Sequence, residues 1–101
     1  MAKLEVTDEL LERFKKSIGD MNVNDDSMDD YYINFLEMAQ SDLASDDISI
    51  AQLKSTLGMA LTVLYAKSLM NDENIASNQT ITLLRNKLSL MTKGDRVNVQ
   101  Q

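Results

Sequence analysis

Acidic and amide side chains cluster most densely between residues 20 and 30, and such oxygens are the ligands that Ca²⁺ prefers. Aligned as a calcium-binding loop, Asp20, Asn22 and Asn24 occupy the first, third and fifth positions. The sixth position, which needs glycine, is Asp25, and the twelfth, which needs a bidentate glutamate, is Tyr31. These mismatches favour a solvated turn before an acidic helix start over a metal site. The full cluster is Asp20, Asn22, Asn24, Asp25, Asp26, Asp29 and Asp30.

Side chains of the kinds most often used in catalysis are missing from the sequence. It has no histidine and no cysteine, which excludes the commonest general base near neutral pH and thiolate nucleophiles. The acids fall on predicted polar helix faces or in loops rather than as a pair flanking a pocket. The three glycines, Gly19, Gly58 and Gly94, do not form a phosphate-binding loop. We therefore expect a protein that is not an enzyme and that carries no catalytic residue, cofactor or metal.

Charge is divided unevenly along the chain. Residues 1–50 carry 13 acids and 4 bases, a net charge of −9, whereas residues 51–101 carry 3 acids and 6 bases, a net charge of +3; the sum is the overall −6. Opposite charge at the two ends of a small protein favours head-to-tail attraction between copies as well as binding of an outside partner.

The basic cluster lies near the C-terminus and is thin for a nucleic-acid surface, because it has no interleaved aromatic residues. Cations near a helix C-terminus also suit the helix dipole. A third interpretation is that the cluster meets the acidic half of the next subunit, in a heterologous contact that closes into a ring. The cluster consists of Arg85, Lys87, Lys93 and Arg96.

Length and composition predict one soluble globular domain. The chain has 101 residues, of which 44% are hydrophobic and 26% charged, as in ordinary globular proteins. The N-terminus lacks the pattern of a secretory signal. The most apolar stretch, residues 57–66, is about half as long as a membrane span requires. We expect synthesis in a cytoplasm and no membrane partner.

The apolar spacing predicts an all-α fold of four helices with a long central helix. The first follows an N-cap at Thr7 and ends before Gly19, the second follows a cap at Ser27, and the third follows a cap at Ser49 and covers residues 50–70. The fourth covers residues 80–92 and ends at Gly94. Residues 1–94 are thus the predicted helical domain, residues 71–79 a polar connection and residues 95–101 a flexible tail. The predicted buried stripe of the second helix is Met28, Tyr32, Phe35, Leu36, Ala39 and Leu43.

The third and fourth helices offer more apolar surface than one small core needs. The second half of the third helix is apolar nearly all round, which places it at the centre of the domain or between subunits, and Gly58 suggests a close helix approach. In the fourth helix an apolar seam either contacts a neighbouring subunit, with Arg85 and Lys87 beside it, or closes the chain's own core. Leu83 and Leu90 fall off the seam. The seam is Ile81, Leu84, Leu88 and Met91.

Nearly the whole chain resembles the small helical head–tail connector proteins of long-tailed bacteriophages, which are also called adaptor, head-completion or DNA-packaging proteins. The resemblance rests on a capped helix, an acidic turn and an aromatic-rich helix in residues 6–45, a long central helix in residues 48–69, and a closing helix in residues 80–91. It implies a structural role without catalytic residues.

The resemblance further implies a homo-oligomeric ring of about a dozen subunits that bridges the phage portal protein to a tail-side head-completion protein. DNA would pass through the lumen without sequence-specific binding, and an acidic protein suits that passage. The expected location is the head–tail junction of the virion, with the host cytoplasm during assembly. The alternative from the residues is a small acidic regulator or inhibitor that binds one protein partner.

Overall fold

Five α-helices and one 3₁₀ turn make up the described part of the chain. The computed structural model describes residues 4–20, 25–45 and 47–99, with side chains as far as residue 95. No strand occurs within these ranges, so the predicted all-α fold class is confirmed. The elements are α1 (Asp8–Ser17), α2 (Asp29–Leu43), α3 (Ile50–Leu53), α4 (Thr56–Met70), the 3₁₀ turn (Ile75–Ser77) and α5 (Gln79–Val99).

Both ends of α1 are as predicted. Thr7 Oγ1 accepts a hydrogen bond of 3.1 Å from the Leu10 N–H and caps the first turn. At the other end Gly19 has a φ of +79°, a conformation that favours glycine. The Asp20 N–H donates to the Lys15 carbonyl at 2.9 Å, which completes a Schellman motif and turns the chain sharply out of the helix.

The predicted cap of α2 is wrong. The helix begins at Asp29, and its N-cap, Met28, makes no side-chain capping hydrogen bond. Ser27 lies in the preceding turn, where its N–H donates to Asp25 Oδ1 at 2.9 Å. Met28 is 45% exposed and does not belong to the buried stripe. The other predicted stripe residues are buried or half-buried: Tyr32, Phe35, Leu36, Ala39 and Leu43.

The single helix predicted over residues 50–70 is in fact two helices. Ser49 caps α3 as predicted, but a second serine, Ser55, accepts a hydrogen bond of 3.1 Å from the Gly58 N–H and starts α4. A Cβ at Gly58 would lie 2.2 Å from the Gln52 carbonyl oxygen and 2.4 Å from that of Leu53. The close approach inferred for Gly58 is therefore real, and it is made with the end of α3.

Helix α4 is the centre of the domain. It contacts α1, α2, α3 and α5. Among the side chains that the structure describes, it contributes more buried residues than any other helix. The sequence left two places open for this apolar helix, the centre of the domain or an interface between subunits. The structure places it at the centre, because the chain's own helices cover most of its circumference. Its buried residues are Gly58, Leu61, Thr62, Val63, Tyr65, Ala66 and Ser68.

Helix α5 runs to Val99, seven residues beyond its predicted end, because the backbone stays helical through Gly94. Among the described side chains of α5, which extend to residue 95, the last buried one is Thr92, whose Oγ1 accepts a hydrogen bond of 3.1 Å from the Ser49 N–H. The backbone of residues 95–99, which were predicted to form a flexible tail, thus continues the helix. Residues 100 and 101 lie outside the described ranges.

The molecule is flattened and slightly elongated. Its extents are 48 × 31 × 18 Å and its radius of gyration is 14.1 Å, against about 13 Å for a compact domain of this length. No helix in the described ranges combines the length and apolarity that crossing a membrane requires. Exposed side chains occur along the described parts of both α2 and α5.

Candidate interaction surfaces

The α5 residues predicted to contact a neighbouring subunit fall into two groups. Ile81 and Leu88 are 1% and 0% exposed and belong to the chain's own core, and Leu84 packs partly against it. These three residues of the seam therefore close the chain's own core, the second of the two interpretations offered for them. The exposed members are Arg85, Lys87 and Met91.

The outward face of α5 carries an apolar patch that shares only Met91 with the seam. Leu83 is 66% exposed and Leu90 is 68% exposed, and their spacing of seven places them two turns apart on one face. Lys87 lies between them, and Met91, which is 41% exposed, lies at the edge. We call Leu83, Lys87, Leu90 and Met91 the α5 patch.

The outward face of α2 carries a second apolar patch with the same spacing. Tyr31 and Met38 are 47% and 49% exposed, and they are also seven residues apart. The Tyr31 ring packs edge-to-face on Phe35, with ring centroids 5.1 Å apart, which holds it in place. We call Met28, Tyr31 and Met38 the α2 patch.

The two helices that carry these patches have opposite charge. Helix α2 contains four acids and no base, whereas α5 contains four bases and one acid. Asp30 and Glu37 of α2 and Lys87 and Lys93 of α5 are exposed. Because α4 packs between α2 and α5, which make little direct contact, the two patches do not cover each other within one chain.

A buried lysine lies inside the acidic region that resembled a calcium loop. The Lys15 side chain is 3% exposed, forms an ion pair with Asp29 and donates to the Asp25 carbonyl oxygen at 3.0 Å. The hydrogen bond with Asp29 raises the pKa of Lys15, and the charges of Asp20 and Asp25 act in the same direction. This ammonium group thus supplies positive charge to the acidic turn.

The pKa values of two further groups in the same region, Tyr32 and Asp25, are also shifted. The Tyr32 hydroxyl donates to Asp20 Oδ2 at 3.3 Å, and burial together with this carboxylate raises the pKa of Tyr32. The N–H of Ser27 lowers the pKa of Asp25. Of the residues that align with a calcium-binding loop, Asn22 and Asn24 lie outside the described residues. In the ranges that are described, no group of His, Cys, Asp or Glu side chains is arranged to hold a metal ion.

Sequence reasoning missed the role of Lys15, although a signal was present. Leu11 and Ile18 of this first helical segment are apolar and pack partly against the core, and Lys15 lies four residues after the first and three before the second. A lysine on that line needs a counter-charge, and the acids after Gly19 provide it. The buried Gln40, whose Nε2 donates to the Glu5 carbonyl oxygen at 3.0 Å, gave no comparable signal.

A groove lies beside helix α5. This groove, of about 320 Å³, lies between residues 47–48 and α5, and Arg85 and Asp47 line it together with polar residues of α5. The Tyr65 hydroxyl donates to Asp42 Oδ2 at 3.1 Å, and burial, more than this bond, raises the pKa of Tyr65. Arg85 thus shares the groove at residues 47–48 with an acid of its own chain, Asp47.

Comparison with known proteins does not assign the chain to a group: no family model matches it, and neither a curated protein nor a solved structure matches it.

Proposed function

We propose that this chain is a non-catalytic structural subunit of the head–tail junction of a long-tailed bacteriophage. Identical copies assemble side by side into a ring of about a dozen, which bridges the portal protein to a tail-side head-completion protein. The observation that carries the proposal is the presence of two exposed apolar patches, on helices of opposite charge, at separate faces of one small domain. A ring subunit needs two such different faces, one for each neighbour.

The net charge supports the second part of the proposal, passage of DNA. With a charge of −6 on each copy, a closed ring repels the phosphate backbone on average, so DNA slides through the lumen without being held. The virion location follows from this role, with the host cytoplasm as the place of assembly.

Sedimentation velocity tests the assembly directly. We expect the average mass to rise with protein concentration toward species of ten or more subunits, seen as rings by negative-stain electron microscopy, and to fall when salt is raised from 0.05 to about 0.5 M. Assembly on the portal is measured by co-sedimentation with the portal protein encoded in the same genome. A chain that stays monomeric at every concentration and fails to co-sediment with that portal contradicts the proposal.

The alternative, an acidic regulator that binds one basic protein, is favoured by the α2 patch. Its apolar side chains are set among acids with no base on the helix, a surface that suits a basic partner. The two functions differ in the same experiment. A regulator remains a monomer or dimer at high concentration and does not co-sediment with the portal, whereas a ring subunit forms large species either alone or on the portal.

A further inference from the structure

We infer that the α5 patch of one copy docks on the α2 patch of the next, in a heterologous helix–helix contact. This inference rests on the proposed assembly of identical copies and names the surfaces that perform it. Each patch presents two large apolar side chains two turns apart, Leu83 with Leu90 and Tyr31 with Met38, all 47% exposed or more. Matched spacing lets the side chains of one helix pack between those of the other.

Charge complementarity selects a second copy as the occupant. The bases of α5 outnumber its acid by four to one, and α2 has four acids and no base. Pairing α5 with another α5 brings Lys87 against Lys87, and pairing α2 with α2 brings acids together, so both symmetric arrangements are disfavoured. Pairing α5 with α2 removes the repulsion and aligns opposite charges.

The arrangement within the chain makes the contact repeat. Since α4 separates the two patches, a copy that uses its α5 patch still has its α2 patch free for a further neighbour. One crossing of two helices buries less than the roughly 800 Å² per partner of a standard stable interface, so a single contact is weak. Closure of a ring gives every copy two contacts and stabilises the assembly.

Complementation between two blocked variants tests the pairing. Met38→Asp blocks the α2 patch and Leu90→Asp blocks the α5 patch, and both side chains are exposed, so the fold is retained. We expect each variant alone to be monomeric and their equimolar mixture to stop at a heterodimer, because one patch of each kind remains. Ala60→Asp, an equal charge change on an exposed position of α4, assembles like the parent chain. A Met38→Asp chain that still forms oligomers by itself overturns the inference.

Disulfide trapping detects the contact even when it is weak. The chain has no cysteine, so Met38→Cys and Leu90→Cys each introduce a unique thiol. On oxidation of the mixture we expect disulfide-linked heterodimers at least tenfold in excess of either homodimer. Mixing Leu90→Cys with Ala76→Cys, a thiol at an exposed position outside both patches, gives the background yield. Homodimers of Leu90→Cys in equal or greater yield indicate a symmetric α5 contact and overturn the inference.

Charge exchange tests the electrostatic part. Lys87→Glu and Glu37→Lys are each expected to weaken association at least tenfold, and combining them in one chain restores much of the loss. Glu73→Lys is the control, because it makes the same charge change as Glu37→Lys but lies in the loop after α4. It is expected to have little effect on association. Equal weakening by Glu73→Lys shows a general charge effect and overturns the assigned contact.

The outcomes separate this inference from the proposed function. If the parent chain forms rings but neither patch variant weakens them, the contact is wrong and the proposed function stands. If the mixed cysteines form heterodimers but the parent forms no ring alone or on the portal, the contact stands and the proposed function fails. If neither rings nor heterodimers form, both fail.

Discussion

A buried lysine provides positive charge to the acidic turn. Lys15 Nζ contacts Asp29 and the Asp25 carbonyl oxygen, and the Tyr32 ring, which packs edge-to-face on Phe14 at 5.5 Å, closes the same corner of the domain. The acids of this turn repel one another, and the ammonium group offsets that repulsion. The turn between α1 and α2 therefore depends on a residue of α1.

Replacing Lys15 by methionine is expected to destabilise the protein. Methionine retains most of the side-chain volume but removes the charge, which leaves the neighbouring carboxylates without their cation. The urea midpoint and the melting temperature of Lys15→Met are expected to fall clearly below those of Lys16→Met. Lys16 is the matched control, because it is exposed and its ion pair with Glu12, at 3.0 Å, lies on the surface of α1. Equal stability of the two variants contradicts the assigned role.

Stability is expected to decline above about pH 10. The pKa of Lys15 is raised above its ordinary 10.5, chiefly by its hydrogen bond with Asp29, and those of Tyr32 and Tyr65 are raised above 10.0, chiefly by burial. In each case the unfolded chain loses its proton first. The stabilisation is complete below the unfolded pKa values and is lost as the pH rises through the folded ones.

Urea unfolding between pH 8 and 11.5 measures this decline. Tyr65→Phe removes one of the titrating groups together with its hydrogen bond to Asp42, so its stability is lower at pH 8 and falls less steeply above pH 10. If the free energy of unfolding falls equally steeply with pH in Tyr65→Phe and in the parent chain, Tyr65 does not contribute to the decline.

Substitution of two helical glycines by alanine is expected to change the free energy of unfolding in opposite directions. At Gly58 a methyl group meets the backbone of α3 at 2.2 Å, so Gly58→Ala is expected to destabilise the protein by about 1–3 kcal/mol despite alanine's better helix propensity. At Gly94 a methyl group meets nothing within 4 Å, and Gly94→Ala is expected to leave stability unchanged or raise it by up to about 1 kcal/mol. Chemical denaturation of both variants checks the pair, and the same sign of change at both positions contradicts it.

The break between α3 and α4 depends on Ser55. Its hydroxyl accepts from the Gly58 N–H and donates to the Gln52 carbonyl oxygen at 2.5 Å, so one side chain ends α3 and starts α4. Ser55→Ala is expected to cost about 1 kcal/mol in the free energy of unfolding, and Ser55→Thr, which retains a hydroxyl, substantially less. A loss of equal size in both variants would point to packing rather than capping.

The whole domain is expected to unfold as one unit, because α4 contacts all four other α-helices. Leu61, fully buried on α4, is predicted to cost about 2–5 kcal/mol when replaced by alanine, a large share of the stability of a domain this size. Leu83→Ala on the exposed face of α5 is the control and changes little. Tyrosine fluorescence and far-ultraviolet circular dichroism should give the same midpoint in the parent and in Leu61→Ala, and separate midpoints contradict a single cooperative unit.

The sequence by itself determined the helical class, most helix positions and the cap at Thr7 with the glycine exit at Gly19. These features depend on local periodicity and on hydrogen bonds between residues close in the chain, which a pattern displays directly. The exposure of Leu83 and Leu90 was also indicated, since both fall off the apolar seam of α5. The sequence pattern gave the wrong result at Ser55. The apolar residues continue through this position and predict one helix, but the Ser55 side chain caps a second helix there.

Only the tertiary structure decided what surrounds each side chain. It assigned Ile81 and Leu88 to the chain's own core, paired Lys15 with acids ten and fourteen residues away, and brought Gly58 against the end of α3. It also placed α4 between α2 and α5, which leaves two oppositely charged faces uncovered. The physical reason is that burial and charge pairing depend on how helices pack, and helices with the same periodicity pack in more than one way.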